Sequence, residues 1–290
     1  GRRPDTTKVW DLKTYWREAG GNFTSLPEVF KRAGYRTVGM GKVFHPGFRD
    51  DAPFSWTEPY YHANDQGRSE NMDRCFHGLQ NTTDDDLADG MLANRAVKVL
   101  EEQAASSGAR EPFFLAVGLH RPHLPWNVPQ KYFDMYNPRS IHLADHNTPP
   151  ANFGEARKYA WDPQSGPRHC GVLHNMTFPN VTLPEYGLVE RSLALEFRRA
   201  YYASVSSMDR NIGVILDAIE NLGLKDNTIV SFIGDHGWQL GDLGEFGKKT
   251  NFERATRAPM IIRPARAHAS RPVGQAAKTN ALVEFVDIMP

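Results

Sequence analysis

Thr228-Ile229-Val230-Ser231-Phe232-Ile233-Gly234-Asp235-His236-Gly237-Trp238 decides how this chain is read. Its apolar, β-branched opening predicts a strand, and the strand ends on a carboxylate and an imidazole bracketed by glycines that let the backbone turn. Open α/β sheets place ligands at the carboxyl ends of their strands, so this end predicts a metal and anion site. Asp235 and His236 are adjacent and would point to opposite faces of a strand; they meet one ion only if a turn begins here. The alternative is a helix cap by Asp235 with His236 packed beside it. Two donors complete neither a calcium nor a zinc site, so further ligands must come from elsewhere. Asp50-Asp51 follows a loop, and Asp84-Asp85-Asp86 reads as a solvated helix start.

Upstream of this strand, Phe197, Tyr201, Val205, Met208, Ile212, Ile215 and Ile219 recur at spacings of four and three, which predicts a helix over 188–222 with that stripe in the core. Gly223 supplies its stop. Nearer the start, Ser25-Leu26-Pro27-Glu28 carries the cap, early proline and third-position glutamate of a helix start, and Gly34 closes that helix. A strand over 35–43, a helix over 85–107 and a buried strand over 113–119 follow. The alternation predicts an α/β fold, a mostly parallel central sheet with helices on both faces. The stretch 137–186, rich in proline, histidine and asparagine, is long for a connection and predicts a shaped surface over the sheet's working face.

Two further strand ends carry candidate chemistry. Gly41-Lys42-Val43-Phe44-His45-Pro46-Gly47 puts a lysine and a histidine three residues apart in a loop. His120-Arg121-Pro122-His123-Leu124-Pro125-Trp126 sets two imidazoles on a backbone stiffened by prolines. Either imidazole is a candidate general acid; the alternative is a rigid turn with satisfied histidines. Trp126 and Trp238 either wall a ligand pocket or pack in the core.

The 290 residues suffice for a sizeable core, in one large domain or two. Lys plus Arg equals Asp plus Glu at 34 each, so no global field argues for nucleic acid or an anionic membrane as partner. No apolar run reaches the length of a membrane span, and the first residues lack the apolar segment of a signal peptide, which gives the start an interior character. Cys75 and Cys170 stand outside any metal-finger spacing. Four Asn-x-Ser/Thr sequons, at Asn22, Asn81, Asn175 and Asn180, lean towards the secretory pathway.

Gly-Lys-x-Phe-His, His-x-Pro-His, Gly-Asp-His-Gly and a downstream lysine stand in one order along the chain, together with Gly1-Arg2-Arg3-Pro4-Asp5, Phe113-Phe114-Leu115-Ala116-Val117-Gly118 and Tyr202-Ala203-Ser204-Val205-Ser206. In that order the chain resembles the type I sulfatases of the alkaline-phosphatase superfamily. It looks most like the branch that removes the 2-O-sulfate from iduronic acid at the non-reducing ends of heparan and dermatan sulfate. Gly34-Tyr35-Arg36-Thr37 running to Gly41-Lys42 is close to the second sulfatase signature, with Met40 in place of its usual small or aliphatic residue.

The resemblance implies that Asp235 and His236 are ligands of one calcium ion, although imidazole is by itself a better zinc ligand. It implies that Lys42 and Lys248 hold sulfate oxygens, that His45 assists the hydrated aldehyde, and that His123 lies on the leaving-group side as a sulfate contact or acid. Trp238 would help to shape the sugar pocket. Of the adjacent pair, Lys248 rather than Lys249 falls at the family's position. The family's nucleophile is a formylglycine, made from cysteine in Cys-x-Pro-Ser-Arg by formylglycine-generating enzyme; neither Cys75 nor Cys170 lies in that motif. Residues 1–290 are therefore expected to be the central part of an N-terminal catalytic domain, truncated at both ends, without the nucleophile segment and the C-terminal subdomain, and inactive alone. A lysosomal or secreted, N-glycosylated protein is the expected setting. Two rivals stay open: a metal-dependent phosphodiesterase or phosphonate hydrolase of the same superfamily, and a non-catalytic glycosaminoglycan binder.

Overall fold

A computed structural model of the chain describes residues 1–64, 76–106, 111–148, 189–266 and 277–288. Ser25 opens helix α1 (Leu26–Arg32) with the expected reciprocal cap: its Oγ accepts from the Glu28 amide at 3.2 Å, and its own amide donates to the Glu28 carboxylate at 3.4 Å. Gly34 then takes a left-handed conformation (φ 83°) and the chain enters strand β1 (Arg36–Gly41). Helix α2 (Ala88–Ala105) leads to strand β2 (Phe113–Gly118), which pairs in parallel with β1 from Arg36↔Phe113 to Gly41↔Gly118.

Alternation along this pair gives each face its own helix. Val38 and Met40 pack with Leu115 and Val117 against Leu92, Ala96 and Val99 of α2. On the other face, Phe114 stacks on Phe30 of α1 at 4.7 Å between ring centroids. The α/β expectation, with helices on both sides of a parallel pair, is met here.

Helix α3 (Arg191–Asn221) runs as a single element, its start capped by the Glu190 side chain on the Ser192 and Leu193 amides, and Gly223 (φ 67°) follows its end. The stripe expected to face the core is only partly the buried one. Phe197 and Ile219 are buried, while Val205, Met208 and Ile212 remain half-exposed. The fully packed line runs instead through Ala200, Ala203, Ser204, Ser207 and Asn211. Small side chains let two helix backbones approach, and α3 meets α2 closely, so volume rather than hydrophobicity decides which face turns inward.

Strand β3 (Val230–Ile233) pairs antiparallel with β4 (Met260–Arg263). In a sheet expected to be mostly parallel, this pair is an antiparallel part. Among the described residues the strands form four two-stranded pairs, two parallel and two antiparallel, rather than one continuous sheet. The largest core cluster lies beyond the strand ends, where Trp126, Val128, Tyr132, Phe133, Phe197 and Phe246 pack together.

The acidic run opens a short 3-10 turn with Asp85 exposed, as expected, but Asp84 departs from that expectation. Asp84 is buried, accepts from Tyr132 Oη at 2.7 Å and pairs with Lys131 Nζ at 2.5 Å, so it is a packed, neutralised group rather than a solvated helix start. Most of the long stretch over 137–186, both cysteines, Asn175 and Asn180 lie outside the described residues.

Candidate functional site

The ends of β1 and β2 are drawn together by two glycines. A Cβ on Gly41 (φ 69°) would fall 2.2 Å from the Gly118 carbonyl oxygen, and one on Gly118 would fall 2.1 Å from the Val43 nitrogen. That closeness lets the Lys42 amide donate to Gly118 O at 2.6 Å. Tyr60, buried against Trp56, donates its hydroxyl to Gly41 O at 2.7 Å and accepts from the Phe44 amide at 3.4 Å. Lys42 thus leaves the sheet from a clamped backbone, with the exposed His45 beyond it. His45 Nδ1 contacts Pro46 O at 2.9 Å and its ring lies 5.3 Å from Phe48.

At the end of β2 the chain turns through His120 and His123, whose rings are 5.1 Å apart at their centroids. The His123 amide donates to His120 O at 2.9 Å, and His123 Nδ1 lies 2.6 Å from Leu124 O. Burial, and then the charges of Arg121, Lys42, His123 and His45, push the His120 pKa down to about 2. His120 is consequently a neutral ring near pH 7 and a poor proton donor there.

The third strand end carries Asp235 and His236. Gly234 and Gly237 serve close approach here, not left-handed turns: a Cβ on Gly237 would fall 2.0 Å from Arg254 O, and one on Gly234 3.0 Å from Pro259 Cδ. Their amides donate to Ala255 O (Gly237, 2.8 Å) and Pro259 O (Gly234, 3.0 Å). His236 Nδ1 donates to Gly237 O at 2.8 Å, which leaves Nε2 as the lone-pair nitrogen. That nitrogen faces Lys248 Nζ at 2.7 Å and Asp235 Oδ2 at 3.3 Å.

Burial, and then the nearby charge of Lys42, hold the Lys248 ammonium below the usual lysine range. Burial is also the first cause that lowers His236, followed by the opposing Gly237 bond and the charge of Lys248, with a smaller contribution from Lys42. These influences place Lys42, Lys248 and His236 in one neighbourhood. The electrostatic influences on His120 tie His45 and His123 to the Lys42 side of it. Asp235 is the acid that acts on Lys248, and it raises Tyr201 after burial has done so. Lys249 is exposed, beside the pair rather than in it.

The arrangement is a cationic, imidazole-rich set of strand ends with one carboxylate beside it, chemistry suited to a tetrahedral oxyanion. Asp235 Oδ2 and His236 Nε2 stand at the separation of two neighbouring donors on one cation, since ligands about 2.3–2.6 Å from an ion in near-octahedral geometry lie roughly 3.3–3.7 Å apart. The pair therefore fits part of a metal shell once Nε2, which has a single lone pair, exchanges its Lys248 contact for the ion; among the described residues no group of three metal-binding side chains forms. Trp126 is core, buried under Phe197 and Tyr201, whereas half-buried Trp238 leans on Trp126 with its ring 5.9 Å from Lys248 Nζ. Sequence reasoning missed Tyr60 and Asp89, whose carboxylate holds the His120 turn, because each acts on backbone distant in sequence.

The chain matches the family model described as sulfatase over residues 1–290. It is 36% identical to iduronate 2-sulfatase of Mus musculus and equally to that of Homo sapiens, over 279 residues that cover 90% of this chain and 49% of each relative. A sulfatase of Formosa agariphila is 31% identical over 310 residues, covering all of this chain and 56% of the relative. The chain thus spans about half the length of the curated relatives it matches. Among solved structures, a phosphonate monoester hydrolase from Silicibacter pomeroyi superposes with a TM-score of 0.62 at 18% identity, covering 91% of this chain and 56% of that one. A protein solved in complex with its substrate D-glucosamine-2-N,6-O-disulfate gives the same score and identity, covering 91% and 59%. At that identity the two structures speak for the fold alone.

Proposed function

The chain belongs to the sulfatase family, and from that premise we propose that the protein of which it forms part hydrolyses sulfate monoesters, removing the 2-O-sulfate from iduronic acid at non-reducing ends of heparan and dermatan sulfate. The observation that carries the reading is the Lys248 to His236 contact of 2.7 Å, with the charge of Lys42 acting on both partners. The Lys42 charge also acts on Lys248, so the two ammonium groups repel each other, and a sulfate ester between them would relieve that repulsion. The 36% identity to iduronate 2-sulfatases over most of the chain supports the choice of sugar.

In this assignment Lys42 and Lys248 hold the non-bridging sulfate oxygens and stabilise the charge that grows on them as the ester bond breaks. Asp235 and His236 would hold a calcium ion, whose charge offsets that of the ester. Formylglycine, made by formylglycine-generating enzyme, supplies the hydrated aldehyde that attacks sulfur in sulfatases; the 290 residues contain no Cys-x-Pro-Ser-Arg from which it would arise. His45, with Nδ1 engaged by Pro46 O, accepts a proton at Nε2. His123, with Nδ1 engaged by Leu124 O, delivers a proton from Nε2 to the departing sugar oxygen. His120, its ring against His123, stays neutral and adds no further positive charge there. Trp238 offers a half-buried aromatic face beside Lys248 for the sugar ring.

The exposed sequons Asn22-Phe23-Thr24 and Asn81-Thr82-Thr83 support an N-glycosylated protein of the secretory pathway, lysosomal or secreted. No helix among the described residues is long and apolar enough to cross a membrane.

The test is a comparison of kcat/KM for the full-length protein on a non-reducing-end 2-O-sulfated iduronide and on an aryl phosphonate monoester. Preferred release of inorganic sulfate supports the proposal. Preferred hydrolysis of the phosphonate refutes it.

A further inference from the structure

Asp89 lies in the first turn of α2, where a carboxylate ordinarily serves its own helix, yet its oxygens are spent on a loop 31 residues downstream. Oδ1 accepts the His120 amide at 2.6 Å and Oδ2 the Arg121 amide at 2.9 Å. The acid is 6% exposed, so neither bond competes with bulk water. Behind the loop lies a small cleft of mixed lining, with Asp84, Ser207 and Asn211 beside Leu87, Ala88 and Val128, so the turn is not closely packed on that side. The pair of charge-assisted bonds that Asp89 makes is therefore a buried anchor of the turn, beside the Arg121 to Asn127 O and Trp126 to Pro122 O bonds.

We infer that Asp89 is a positioning residue for the reaction: it anchors the backbone of His120 and Arg121 and thereby sets where the His123 imidazole stands against the sulfate ester held by Lys42 and Lys248. The inference rests on the functional reading given above. The path is short and continuous. Asp89 fixes the His120 and Arg121 amides, the His123 amide closes the turn on His120 O at 2.9 Å, and the two rings stand 5.1 Å apart. Asn in place of Asp keeps the size but turns a donor NH2 towards one of the two amides, so one bond is lost and two donors face each other. A carboxylate at the positive end of a helix is also held there by the helix dipole, which an amide does not exploit as well.

The experiment uses the full-length protein with Asp89→Asn and reads two quantities: amide hydrogen exchange at His120 and Arg121, and kcat and KM for para-nitrophenyl sulfate. Exchange at the two amides is expected to rise at least about tenfold while the Val38 and Met40 amides of β1 stay as they were. A misplaced acid costs turnover rather than ester binding, so kcat is expected to fall between about ten- and a hundredfold with KM within about threefold. Unchanged exchange at His120 and Arg121 overturns the anchoring, and faster exchange with unaltered kcat overturns the catalytic consequence. Exchange that rises uniformly through β1 as well marks a merely structural role and also overturns it. If Asp89→Asn does not fold, Asp89→Glu, which keeps both acceptors one methylene further out, is measured in the same way; a smaller rise in exchange with a loss confined to kcat is expected, and wild-type kinetics refute the proposal. Should the unaltered protein fail to hydrolyse sulfate esters at all, it is the functional reading that falls, and the exchange measurement still decides the anchoring.

Discussion

Lys248 Nζ lies 2.7 Å from His236 Nε2, and the imidazole is the acceptor in that contact because its Nδ1–H is committed to Gly237 O at 2.8 Å. The lysine and the histidine therefore act as one unit at the strand end. A double-mutant cycle of Lys248→Ala and His236→Ala on kcat/KM of the full-length protein is expected to show a coupling of at least about 1 kcal/mol. Strictly additive losses would mean that the contact carries no function.

Asp235 and His236 offer donors 3.3 Å apart, and only one is a hard oxygen ligand. Asp235→Asn is expected to raise the calcium concentration for half-maximal turnover by at least about tenfold, because a neutral oxygen replaces the charged one. Titration of chelated full-length protein with calcium and with zinc checks this. Recovery with zinc alone would assign the pair to the other metal.

His120 makes the acid limb of the stability curve steeper. Its pKa in the fold, about 2, lies below that of the unfolded chain, so between about pH 6.5 and 2 the unfolded state binds a proton that the native state does not. Stability is fully present above that window and falls as pH drops through it, by at most about 1.4 kcal/mol per pH unit from this group. Unfolding by urea at pH 7, 6 and 5 is expected to show a shallower loss for His120→Gln than for the unaltered protein. A parallel loss in both would place the acid sensitivity elsewhere.

Gly118 has no room for a side chain, since a Cβ would meet the Val43 nitrogen at 2.1 Å and the Lys42 carbonyl carbon at 2.3 Å, both backbone. Gly118→Ala is expected to destabilise the full-length protein by about 3 kcal/mol or more, because backbone cannot swing aside as a long side chain does. A loss below about 1 kcal/mol, measured by urea unfolding, would show that the two strand ends can separate freely.

The parts of the fold that announce themselves in sequence are those governed by local chemistry. Ser25 and Glu28 cap a helix start with their own side chains, and the apolar run over 113–119 forms a strand that stops one residue earlier, at Gly118. The strand ends carrying Lys42, His123 and Asp235 were legible because glycine or proline interrupts each apolar run beside the chemistry. What sequence could not show depends on long-range partners. Asp84 reads as a surface acid until Lys131 and Tyr132 are found against it. Ser204, Ser207 and Asn211 lie outside the apolar stripe of α3, yet they are buried where α2 closes on them, because small side chains let the two helices approach. The antiparallel partner of β3 escaped notice because Met260–Arg263 is only four residues long and ends on an arginine.

The central claim is that Lys248, packed on His236 and within reach of the charge of Lys42, holds the sulfate ester, while its exposed neighbour Lys249 does not. The direct measurement is kcat/KM of the full-length protein on a non-reducing-end 2-O-sulfated iduronide for Lys248→Ala and Lys249→Ala. A fall of about a hundredfold or more for Lys248→Ala, with Lys249→Ala within about threefold of the unaltered protein, is the predicted result. Equal effects of the two substitutions, or a larger one at Lys249, would contradict it.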